Sequence, residues 1–175
     1  MIKTSPYEEQ LLNQCLKGER HAQKELYDRY KDAMFTVALR ITNNYDEACD
    51  SLQDVFIQVF RDLAQFNRQS TLGAWIKTIV IRTSVKKKKM LHVTESLDDL
   101  NSNDSIHWPD NINVDYLHTA IKELPDGYRT IFLLTEVEGY THKEAAEILN
   151  ISTGTSKSQL FHAKKMLQKK LIGLF

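Results

Sequence analysis

Cysteine is nearly absent: Cys15 and Cys49 are the only two in 175 residues. They lack the CxxC or Cys/His spacing of a zinc site, and two isolated thiols cannot build the dense disulfide framework of a small secreted domain. Both are expected to be reduced thiols in a core. Long apolar runs are missing too. No stretch approaches the roughly 18 residues that a membrane span requires, and Met1 to Gln10 carries no signal-peptide core. The expected location is therefore the cytoplasm, with no membrane insertion. Catalytic groupings are equally scarce. His21, His92, His107, His118, His142 and His162 are scattered, and there is no Gly-rich phosphate loop. No Ser/His/Asp or paired-carboxylate arrangement can be assembled into one pocket. An enzyme is thus the least favoured class, and neither a metal nor a cofactor is expected.

Net charge is also lacking, since 23 basic side chains offset 23 acidic ones. A zero sum argues at first against nucleic-acid binding, which gains from a basic excess that displaces counterions. The distribution reverses that conclusion. Residues 1–60 hold 7 basic and 10 acidic side chains, 61–90 hold 8 and 1, 91–126 hold 1 and 8, and 127–175 hold 7 and 4. Two basic blocks separated by an acidic one imply segments with different partners, a polyanion for two of them.

Period-two alternation is absent from the first half of the chain, and helix punctuation takes its place. Ser5-Pro6-Tyr7-Glu8 offers a capping serine, a proline suited to the first helical position and a glutamate three after the cap, predicting a helix to about Leu16 before Gly18. A second helix, about Arg20 to Ile41, would bury Ala22, Leu26, Tyr30, Ala33, Val37 and Ile41 at steps of three and four. Asn44 with Glu47 opens a third, to about Gln65, burying Ala48, Leu52, Val55, Phe56, Val59 and Leu63. A fourth follows the polar loop Asn67 to Ser70, with Leu72, Trp75, Ile76, Ile79 and Val80 inside, and runs into Lys86 to Lys89. The composition between about Leu91 and Asn113, rich in Asp, Asn and Ser, predicts a flexible acidic linker. Ile106, Trp108 and Ile112 are the residues there with apolar surface to dock. Helices resume over Val114 to Leu124, break at Leu124-Pro125, and continue over about Tyr128 to Val137, Thr141 to Leu149 and Thr153 to Leu171. The expected fold is all-α: two small helical domains, residues 1–90 and 114–175, joined by the linker 91–113.

Two helices split by a tight turn at Asn150 to Ser152, the second long and basic, fit a helix-turn-helix. Leu160, Ala163, Leu167 and Leu171 form its inner stripe. Ser156, Lys157, Gln159, His162 and Lys164 fall largely on other faces, within reach of phosphates or base edges. An ordinary helical hairpin with a solvated basic face fits the spacing equally. Lys86 to Lys89 likewise reads either as a solvated helix terminus favoured by the helix dipole or as a phosphate track. Trp75, Lys77, Arg82 and the loop Phe66-Asn67-Arg68-Gln69 beside it favour the second, because such a loop can hold an unstacked base.

The stretch Asp50-Ser51-Leu52-Gln53-Asp54-Val55-Phe56, with Phe66 and Trp75-Ile76, resembles region 2 of the sigma-70 family, in particular its small extracytoplasmic-function group. Leu124-Pro125, Arg129, Phe132-Leu133-Leu134, Glu138-Gly139-Tyr140-Thr141, Glu144-Ala145-Ala146 and Gly154-Thr155-Ser156-Lys157-Ser158 resemble its region 4. The resemblance spans nearly the whole chain, with both halves in order around a linker and without a region 1.1 or a full region 3. It implies an alternative sigma factor that binds the clamp helices and flap of core RNA polymerase and promoter DNA, and that an anti-sigma factor holds in check.

By the same resemblance, Asp50, Gln53, Asp54 and Phe56 face the clamp helices, although Phe56 also reads as core. Asn67, Arg68, Gln69 and Ser70 capture a flipped base of the minus-ten element, supported by Lys77, Arg82, Lys86 and Lys87. Thr155, Ser156, Lys157, Ser158, Gln159, His162 and Lys164 serve the minus-thirty-five element, and Phe161 is assigned to packing. The linker is implied to thread toward the polymerase active-site cleft and RNA exit path. Arg82 stands where the group commonly has asparagine, Ser156 where valine is usual, and Gln159 and His162 where arginines are frequent. A stand-alone helix-turn-helix regulator and a helical adaptor without a DNA role are the rival readings.

Overall fold

The computed structural model describes residues 5–91 and 114–172, all of whose regular elements are helical. All of the acidic linker except Leu91, including Ile106, Trp108 and Ile112, lies outside the described residues, as does the side chain of Lys89. The chain divides into two compact units, one up to Lys87 and one from Lys88 onward.

In the first unit, α1 runs Pro6–Leu16, α2 Arg20–Thr42, α3 Tyr45–Asp62 and α4 Leu72–Leu91. α1, α3 and α4 each start at a side chain that satisfies an orphan backbone N–H group, whereas α2 starts at Glu19 without a side-chain cap. Ser5 Oγ accepts from the Glu8 N–H at 3.2 Å, Asn44 Oδ1 from that of Glu47 at 3.1 Å, and Thr71 Oγ1 from that of Ala74 at 3.2 Å. Gly18, at φ 79°, makes the left-handed corner between α1 and α2. The end of α2 carries Asn43 in the left-handed region, and its N–H closes back on Leu39. α2 packs on α1 and α3 around Leu26, Val55, Val59, Leu72, Ile76 and Val80, all but sealed from solvent.

Several inward assignments need correction. Ala33 is exposed and Leu52 only half-buried; Met34, Ala38 and Ser51 occupy the buried positions instead. α3 closes as a 3-10 turn over Leu63–Gln65, which tightens the chain into Phe66. Cys15 is buried, and that burial pushes its thiol up to about 11, so it stays protonated and inert. Cys49, by contrast, is exposed and does not belong to the core.

The second unit comprises α5 (Val114–Lys122), α6 (Asp126–Phe132), a π turn (Leu133–Val137), α7 (His142–Leu149) and α8 (Thr153–Ile172). α5, α6 and α7 all pack on α8. α7 opens with a reciprocal cap: Thr141 Oγ1 accepts from the Glu144 N–H, and the Glu144 carboxylate accepts from the Thr141 N–H at 2.8 Å. The Thr141 hydroxyl also donates to the Glu144 carboxylate at 2.7 Å, and that bond first, then the one from the Thr141 N–H, holds the Glu144 carboxyl below the usual carboxylate range. Asn150 ends α7 in the left-handed region at φ 55°, and Ser152 Oγ then accepts from the Thr155 N–H at 2.9 Å. A three-residue turn thus separates α7 from α8.

Candidate polymerase and nucleic-acid surfaces

On α3, Asp50, Gln53 and Asp54 are exposed at steps of three and four, so they share one face. Phe56 does not join them. It is 4% exposed, with the Tyr27 ring edge-on at 4.7 Å, and therefore supports the acidic face from beneath. The exposed apolar member is its neighbour Ile57, 60% accessible and one turn beyond Gln53 and Asp54. Sequence reasoning missed it, although Val55-Phe56-Ile57 cannot all point inward from one helix. An exposed apolar residue set within two turns of two carboxylates and an amide has the composition of a protein-docking patch.

The loop before α4 is held from both sides. Phe66 is buried with its ring 5.4 Å from that of Trp75, and Asn67 Oδ1 accepts from the Gln69 N–H at 3.1 Å. Arg68 adopts φ 59°, a conformation that costs a side-chain-bearing residue about 1 kcal/mol. Its guanidinium donates from Nε and Nη2 to the two Glu9 carboxylate oxygens, both at 2.9 Å. Asn67 and Gln69 are left exposed, with Ser70 half-buried beside them. Arg68 is thus a clamp between loop and α1, and Asn67 and Gln69 are the groups that face solvent. Glu9→Ala is expected to raise amide exchange over residues 67–70 about threefold, the scale of one part-exposed ion pair, without moving the global unfolding midpoint. Exchange unchanged in the loop would show that the pair does not hold it.

Along α4, Trp75, Arg82 and Lys86 fall on one stripe at helical spacing, with Arg82 and Lys86 exposed. Lys77 is half-buried and lies well round the helix from Arg82. Lys87 turns toward α3, where its Nζ meets Asp54 Oδ2 at 2.8 Å. The basic residues assigned to one strand of nucleic acid therefore split into a presented pair, Arg82 and Lys86, and two that are turned away from it.

In the second unit, α8 buries Ser156, Leu160, Ala163, Leu167 and Leu171. Burial of Ser156 corrects its assignment to a groove-facing position: its Oγ shares a hydrogen bond of 2.9 Å with His142 Nδ1 and ties the start of α8 to the start of α7. His162 needs the same correction. It is 9% exposed, with its ring 5.8 Å from that of Tyr128 on α6. Gln159 is half-buried against the start of α6, where a Cβ added at Gly127 would stand 3.4 Å from Gln159 Nε2. Lys164 pairs with Glu136 at 2.9 Å. What remains on the outer face is Gly154, Lys157 and Ser158, all exposed, then Phe161 and Lys165, both half-buried, with Thr155 at the edge.

Two family models match the chain: sigma-70 region 2 over residues 26–90, and sigma-70 region 4 over residues 115–167. The RNA polymerase sigma-H factor of Pseudomonas aeruginosa is 24% identical over 96% of this chain and 95% of its own. The extracytoplasmic-function RNA polymerase sigma factor SigW of Bacillus subtilis is 27% identical, covering 91% of this chain and 94% of its own. Among solved structures, the sigma factor RpoE of Bartonella quintana, crystallised with the anti-sigma factor NepR, superposes with a TM-score of 0.58 at 22% identity. That match covers 85% of this chain and 96% of RpoE, and it shows that the helical fold is shared.

Proposed function

The chain belongs to the sigma-70 family, in its extracytoplasmic-function group, and we propose that its surfaces divide the work of promoter recognition among the residues that face outward. As an alternative sigma factor it binds core RNA polymerase and directs promoter recognition and the initiation of DNA-templated transcription; it is not itself an enzyme. It acts in the cytoplasm. Among the described residues no helix is long and apolar enough to cross a membrane.

Ile57, together with Asp50, Gln53 and Asp54 beside it on α3, supplies the contact with the polymerase clamp helices. Asn67, Gln69 and Ser70 take the minus-ten base, with Arg68 holding their loop, while Arg82 and Lys86 meet the phosphates that follow. The start of α8 enters the major groove of the minus-thirty-five element through Lys157, Ser158 and Thr155. An anti-sigma factor holds the protein inactive, as NepR is bound to RpoE and the cytosolic domain of CnrY to CnrH.

The observation that carries the groove assignment is the outer face of α8, which exposes Lys157 and Ser158 in its first two turns after a capped tight turn. A lysine there neutralises a phosphate and reads no base. Lys157→Ala is expected to weaken holoenzyme binding about equally on all cognate promoters and to lower the salt slope by about one. A loss confined to one base variant would make Lys157 a base reader.

A further inference from the structure

The Arg68–Glu9 pair joins two parts of the first unit that lie 59 residues apart in the chain. Two parallel N–H donors meet the two carboxylate oxygens, a fork that fixes direction as well as distance. Glu9 is a firm anchor for it. Ser5 caps α1, Leu11, Leu12 and Cys15 bury its inner side, and the hydroxyls of Tyr7 and Tyr30 tie α1 to α2 by donating to Glu25 and Glu8.

The loop end of the pair is strained. At φ 59° Arg68 holds a left-handed conformation that its own side chain disfavours, and such a conformation persists only where the surroundings over-determine it. The bond from the Gln69 N–H to Asn67 Oδ1 spans Arg68 without involving it, so the grip on Arg68 comes from α1. A return to negative φ would turn the chain at residue 68 and re-aim Asn67 relative to Gln69 and Ser70.

We propose that Glu9 is a positioning residue for minus-ten recognition. Acting through Arg68, it holds the loop in the conformation that receives the base, so α1 sets part of the selectivity for that base from outside the DNA surface. This rests on the reading that Asn67, Gln69 and Ser70 take the minus-ten base. The physical basis is that apparent affinity falls with the fraction of molecules in which the binding conformation is populated.

The test uses holoenzyme assembled with the full chain and a forked promoter fragment whose minus-ten strand is single. Affinity is measured with each base of that strand intact and then singly removed to leave an abasic site. Because the readout is the intact-to-abasic ratio within each variant, a general loss of stability, core binding or phosphate contact cancels. Wild type should show a ratio well above one at one position, and Glu9→Ala should lower it about threefold, the scale of one part-exposed ion pair. Arg68→Ala, which keeps the strain and loses the pair, should lower it as far. Arg68→Gly also loses the pair but takes positive φ without strain, so it should keep a larger ratio than Arg68→Ala.

An unchanged ratio in Glu9→Ala, or Arg68→Gly no better than Arg68→Ala, overturns the proposal while the loop reading stands. A raised ratio in Glu9→Ala overturns it as well, since Glu9 would then be withholding Arg68 from the DNA. Wild-type indifference to every abasic site, or a base dependence that Asn67→Ala and Gln69→Ala leave whole, would overturn the loop reading and the proposal with it.

Discussion

Arg129→Ala is expected to unfold the second unit while the first stays folded. The Arg129 side chain is only 4% exposed, and Nη1 donates to the Leu124 carbonyl at 2.8 Å and to that of Lys122 at 3.2 Å. Nη2 pairs with the Asp126 carboxylate. One guanidinium thus satisfies the carbonyls left at the end of α5 and anchors the first turn of α6 across Pro125. Truncation leaves those acceptors buried without a donor and breaks the Arg129–Asp126 pair, which costs about 3 to 5 kcal/mol. A small helical domain has little more than that to lose. Amide exchange on the intact chain should show protection collapsing over α5 to α8 while α2 and α3 keep theirs. Arg129→Lys should recover only part, since an ammonium cannot span both carbonyls and the carboxylate in one plane. Full protection of α6 and α8 in Arg129→Ala would show that the network is dispensable.

The second large effect concerns the α3 patch. Reversal of both charges, Asp50→Lys with Asp54→Lys, is expected to lower competition for core polymerase by more than about tenfold with helical content unchanged, since like charges set against each other across an interface cost several kcal/mol. Because Asp54 also pairs with Lys87, Lys87→Gln serves as the control for the lost ion pair and should bind core normally. Ile57→Ala tests the centre of the patch. It removes no charge and leaves no cavity in the protein, so a loss of about 1 kcal/mol or more would mark it as an anchor. Equal competition by the double reversal would place the interface elsewhere.

The frame of the molecule was legible because its helices are punctuated by residues that act locally. Ser5, Asn44, Thr141 and Ser152 cap where their hydroxyl or amide reaches an N–H two or three residues on, and Asn150 turns left-handed because its short polar side chain tolerates that conformation. None of this needs the rest of the chain. The surfaces were legible only in outline, because polarity stands in for exposure in a sequence and fails wherever one partner satisfies a polar group. Ser156 is buried by a single hydrogen bond to His142, fourteen residues away, and His162 by the ring of Tyr128. Arg68 lies in the loop that the sequence places before α4, but its direction is set by Glu9 on a helix 59 residues earlier. The reverse error occurs where apolar residues outnumber inward positions. Phe56 goes inside, so Ile57 must face out, and Phe161 faces out because Leu160 and Ala163 already fill the inner positions of α8.

Transcription in vitro with purified core polymerase on a library of genomic fragments, with and without this chain, tests the central claim most directly. The account predicts start sites that appear only when the chain is present and that share two sequence elements upstream, near minus ten and minus thirty-five. These sites should be lost with the Asp50 and Asp54 double reversal. The account is contradicted if no start site depends on the chain, or if the chain alone shifts the same fragments with full selectivity in the absence of polymerase.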